Sequence, residues 1–137
     1  MRILAIDIGT GTQDILLYDT DRHPENCFQL VMPSPTMRIA RAVREATRRR
    51  QPLLLTGVTM GGGPCHWAVR DHVAAGHQVL ATPEAARSFD DDLTLVQEMG
   101  VVIISEDEAA RLARSRSDLL PLTLHDFDYR QIATAFG

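Results

Sequence analysis

The chain contains no lysine; all 14 of its basic residues are arginine. That excludes a phosphate-gripping lysine of the Walker type, a Schiff-base lysine and a lysine general base, because each needs an amine that a guanidinium cannot replace. Cysteine is scarce. Cys27 and Cys65 are too few for a disulfide framework, and such usage points to a reducing cytoplasm. No apolar run approaches the ~20 residues that cross a bilayer. The opening "MRILAID" meets an acid at Asp7 and does not read as a secretion signal. Repeats, low-complexity tracts and linkers are also missing. The net charge of −4 argues against a general nucleic-acid binder. What remains is an ordinary composition, 45% hydrophobic and 23% charged over 137 residues. That is enough for a single domain burying roughly two-thirds of its surface.

Residues 3–8 ("ILAIDI") and 15–18 ("ILLY") are short, apolar and bounded by Gly, Thr and Asp, so both read as strands. After a turn at 19–26, "CFQLVM" (27–32) is a third strand, and "PSP" breaks the chain. Thr36 is expected to cap a helix through about Arg50, with Ile39, Ala42, Val43 and Ala46 inward. "LLLTGV" (53–58) suits a strand buried on both faces. A helix from Cys65 to Ala75 stops at Gly76, and "QVLAT" (78–82) is the next strand. "DDLTLVQEMG", "EDEAARLARS" and "DYRQIATAF" read as helices, the last capped by Asp126 or Asp128, with strands at 101–105 and 120–124. Tight turns first and crossover helices later predict an α/β fold. It is an antiparallel meander of three strands, then parallel strands with crossover helices, joined in one ribonuclease-H-like mixed sheet flanked by helices.

Between the first two strands, "GTGTQD" starts like a dinucleotide fingerprint but has Asp14 at the third glycine position and continues as a strand. It therefore turns a hairpin. Gly9 and Gly11 let an oxyanion approach main-chain N–H groups, and Thr10 and Thr12 add hydroxyl donors. Asp7 would repel a bare phosphate, which suits a divalent cation between them. The structural alternative is a tight turn that Asp7 merely caps. A second glycine loop, "TGVTMGGGPCHW", follows a central strand and opens a helix, where anions collect. Gly61, Gly62 and Gly63 are its candidates, and adjacent strands would bring them to the edge that carries the hairpin. The competing reading is a flexible connection.

"AIDIGTGTQD" resembles the first phosphate motif of the actin / sugar kinase / Hsp70 ATPase superfamily. More closely, "ILAIDIGTGTQDILLYD", "ENCFQLVMPSPT", "LTGVTMGGGP" and "ATPEAARSFDDDL" resemble an uncharacterised prokaryotic family labelled "pyruvate formate-lyase activating enzyme-like". The superfamily resemblance implies ATP and Mg²⁺ as ligands, Asp7 as the metal-side carboxylate, and Gly9, Thr10, Gly11 and Thr12 as the phosphate loop. It also implies a second lobe, so residues 1–137 would be the N-terminal lobe of a longer protein. A phosphotransferase or ATPase would then work only with that lobe or in an oligomer. The family label implies a radical enzyme with three closely spaced cysteines on an iron–sulfur cluster. This sequence has two cysteines, far apart, and no such cluster is expected.

Other features favour structural roles. Cys65 beside His66 at a helix start is weak ground for a nucleophile, because adjacent helical residues diverge. His66, His72 and His77 lack the i, i+4 spacing of a zinc helix. His23 and His125 fall in loops. Arg41, Arg44 and Arg48 share a helix face without interleaved aromatics, which suits a solvated surface. Asp90, Asp91 and Asp92 read as a helix cap, and Ser105 with Glu108 as a capping box.

Two other functions fit the pattern. A resolvase-like metal-dependent nuclease would use Asp7 with carboxylates among Glu106, Asp107, Glu108, Asp126 and Asp128. A non-catalytic interaction module would keep the fold without a ligand.

Overall fold

The computed structural model describes residues 1–126 and 129–136. Strands β1 (Arg2–Ile8), β2 (Thr12–Asp19) and β3 (Phe28–Pro33) form the expected antiparallel meander, with Asp7 opposite Asp14 and Ile15 opposite Leu30. A second sheet is wholly parallel, in the order β6 (Val102–Ile103), β5 (Val79–Ala81), β4 (Leu53–Gly57) and β7 (Leu120–Leu124). The α/β class, the meander and the crossover-linked parallel strands are as the sequence predicts. The single continuous sheet is not. Among the described residues no ladder joins β1 to β4, and β7 takes the position beside β4.

Helices cover both faces of the parallel sheet. β4 alternates its side chains, as any strand must. Leu53 and Leu55 join a core with Val43 and Ala46 of α1 (Pro35–Arg48) and Cys65 and Val69 of α2 (Gly63–Ala74). Leu54 joins Leu80, Ile104 and Leu119 with Ala109 of α5 (Glu106–Ser115). That two-sided burial is why "LLL" shows no alternation in the sequence. Two short helices, α3 (Pro83–Ala86) and α4 (Leu93–Glu98), fill the β5–β6 connection, and α6 (Tyr129–Phe136) follows β7.

Capping separates right from wrong expectations. Asp92 and Ser105 cap α4 and α5 as expected, their side chains accepting from the amides of Thr94 and Glu108. Helix α1 is capped by Ser34 rather than Thr36, with Pro35 at its first position, and it ends at Arg48. A proline at N1 costs no hydrogen bond, so the helix starts one residue before Thr36. For α6, Asp126 bonds elsewhere, and Asp128 lies outside the described residues.

Candidate functional site

Both glycine loops wall one cavity of about 350 Å³, lined by Ile8, Gly9, Thr10, Pro35, Thr36, Gly61, Gly62, Gly63 and Asp126. The convergence expected from the sequence therefore occurs, although not through neighbouring strands. The "PSPT" segment between β3 and α1 holds the loops together. Ser34 donates its amide to the Gly11 carbonyl (3.1 Å) and its hydroxyl to the Thr10 carbonyl (2.9 Å). Two residues on, Thr36 donates its hydroxyl to the Gly62 carbonyl (2.8 Å). Both hydroxyl residues are buried, where an unmade hydrogen bond is costlier than at the surface. Sequence reading misses this clasp. Its only trace is two small hydroxyl residues around a proline, directly after a strand.

The cavity sits at the carboxyl ends of β4 and β7, adjacent parallel strands. The loop after β4 supplies Gly61 to Gly63, and the segment after β7 supplies Asp126. The loop is pinned from behind, where the Met60 amide donates to Ser88 Oγ at 2.8 Å. A Cβ at Gly62 would lie 2.9 Å from the Ser88 carbonyl oxygen, so no other residue fits that crossing without a shift. At Gly61 no atom of the described residues lies within 4 Å of a built Cβ. The Gly61 amide donates to Asp126 Oδ1 at 2.9 Å. One amide of this loop thus already holds an oxyanion, a carboxylate from the chain itself.

Across the cavity, Thr10 approaches the helix start. Its Cγ2 would lie 3.7 Å from a Cβ at Gly63. The Gly9 amide is used within the hairpin, donating to the Thr12 carbonyl at 2.9 Å. Gly11 and Thr12 do not line the cavity; Gly11 supports it through its carbonyl, and Thr12 begins β2.

Asp7 is placed differently. Side chains alternate along β1, so Ile8 lines the glycine cavity and Asp7 does not. Asp7 instead stands opposite Asp14 and lines a separate groove of about 360 Å³ with Ala5, Leu16 and Val31. The carboxylate that meets the glycine loops is Asp126. Among the described residues, no three His, Cys, Asp or Glu side chains converge as a metal cluster. Glu106, Asp107 and Glu108 occupy the first turn of α5, on the opposite flank of β4 from β7.

The remaining candidates are structural. Cys65 is fully buried, and burial pushes its thiol up to about 12, which keeps it protonated and inert. Cys27 packs in the meander, where Sγ accepts from the Asp19 amide. His72 is buried with Nδ1 2.8 Å from Thr47 Oγ1, a bond between α2 and α1. Of the arginine stripe, Arg48 pairs with Glu45 on the same helix.

No curated protein and no solved structure matches the chain. A model of the family described as "Putative pyruvate format-lyase activating enzyme (DUF1786)" matches residues 60–137, the stretch that carries Gly61 to Gly63, α2 and Asp126. The chain belongs to that family.

Proposed function

We propose that this protein is a nucleotide- and phosphate-binding lobe, with the phosphates of ATP escorted by Mg²⁺ in the cavity between the two glycine loops. The observation that carries the reading is the convergence of Gly9–Thr10 and Gly61–Gly63 on one cavity. The start of α2 adds its partial positive charge, which favours an anion. Asp126 supplies one carboxylate beside it, and Mg²⁺ bound to phosphates needs only one or two with water completing the shell. In this reading Asp126 takes the metal-side role that the superfamily resemblance gives to Asp7. Catalysis is assigned to a second lobe or a second copy. The meander leaves Leu4 and Phe28 exposed on one face of its sheet, an apolar surface suited to such a cover.

Isothermal titration with Mg²⁺ and ATP, ADP or tripolyphosphate tests the reading. Gly61→Val places a Cβ where no atom of the described residues lies within 4 Å, and it should weaken binding far more than it lowers the melting temperature. Asp126→Asn should remove the Mg²⁺ dependence, and Asp7→Ala should have no effect. Binding that Gly61→Val leaves intact would exclude this cavity. A nuclease centre is less well supported, because Asp7 and Asp14 are joined by no third carboxylate among the described residues.

A further inference from the structure

The exposed face of α2 begins inside the glycine cavity. Gly63 lines it, and Trp67 and Arg70 follow at i+4 and i+7, both exposed. That spacing stacks them along one side of the helix. Trp67 is the chain's sole tryptophan and is 54% exposed. It is nonetheless held in place. The guanidinium carbon of Arg70 lies 4.4 Å from the indole centroid, a cation–π contact that fixes the ring and occupies one of its faces. His66 leans on the same indole, with centroids 5.8 Å apart, and is itself braced by Phe89 in an edge contact at 6.1 Å.

We propose that Trp67, backed by Arg70, is the platform on which the base of a nucleotide stacks when its phosphates occupy the glycine cavity. The inference rests on the phosphate reading of that cavity and adds to it the ligand's aromatic half. Trp67 lies about 6 Å along the helix axis from Gly63, so a ligand running from the glycine loop along α2 meets the indole one turn on. A ring already fixed by neighbours loses little freedom when a ligand stacks on it. One indole beside the glycine loop of an acidic chain suits a single base. A nucleic-acid strand would call for successive aromatics in a basic groove.

The test compares Mg²⁺ with ATP against Mg²⁺ with tripolyphosphate, which keeps the phosphates and lacks the base, using the full chain. ATP should quench tryptophan fluorescence, which can come only from Trp67, and tripolyphosphate should not. By calorimetry, Trp67→Ala should weaken ATP binding roughly ten-fold and leave tripolyphosphate unchanged, while Trp67→Phe retains most of the ATP affinity. Equal binding of both ligands, indifferent to Trp67→Ala, would overturn the platform and leave the phosphate site standing. Binding of neither ligand would remove both.

Discussion

At His72, two hydrogen bonds decide which protons the ring can carry. Thr47 Oγ1 donates to the Val43 carbonyl at 2.9 Å, so the His72 Nδ1 contact of 2.8 Å has the ring as donor. Nε2 is buried and makes no hydrogen bond among the described residues. Burial, and then the neighbouring His77, lower the pKa of His72 from the ordinary 6.5, outweighing an opposing pull from the Gln78 backbone. A histidine lowered in the fold binds its second proton more readily when unfolded, so its contribution to stability is complete well above 6.5 and lost as pH falls below it. Urea unfolding midpoints should therefore drop between pH 7 and pH 5, and His72→Gln should flatten that fall. Cys65 gives a second expectation at this scale. With its thiol buried and raised to about 12, the folded protein should react with a thiol reagent only at half-buried Cys27. Cys65 should react once denaturant is added, as mass spectrometry would show. Neither environment is legible in the sequence, where a histidine or cysteine in a helix carries no mark of what packs over it.

Among the elements, the segment from Ser34 to Thr36 has the widest reach. Ser34 caps α1 and also bonds the Thr10 carbonyl with the same hydroxyl, and Thr36 ties Gly62. Ser34→Ala should cost about 1 kcal/mol as a lost cap. It should also weaken phosphate binding, because the hairpin loses one of its two bonds to Ser34 and keeps only the Ser34 amide on the Gly11 carbonyl. Calorimetry beside thermal unfolding would separate the two effects. The strands and helices are largely readable, since apolar periodicity and turn residues are local signals. "LLLTGV" and the Ser105 capping box are clear instances. The cap of α1 is ambiguous in sequence because two hydroxyl residues flank Pro35, and only the proline's fixed geometry selects Ser34 over Thr36. Sheet partnership is beyond local reading. "LPLTL" does not announce that it will pair with β4 and leave the meander as a sheet of its own, because that outcome depends on competition between edges distant in sequence.

Across the whole molecule, the cavity brings together the β1–β2 turn, the β4–α2 loop and the end of β7. Both glycine loops can be named from sequence, because glycine clustered at a strand end marks bare main chain that another group can approach closely. Asp126 cannot, since its bond to Gly61 spans 65 residues and follows from β7 lying beside β4. Asp7 attracts the metal role in sequence because it lies near the end of β1, and a single step of strand periodicity removes it. Its neighbour Ile8 faces the cavity, so Asp7 must face away. The central claim is that these separate loops act as one phosphate cradle. Amide chemical shifts recorded while tripolyphosphate and Mg²⁺ are titrated test it most directly. Gly9, Thr10, Gly61 and Gly63 should shift together along one binding curve. Shifts confined to a single loop, or gathered around Asp7 and Asp14, would contradict it.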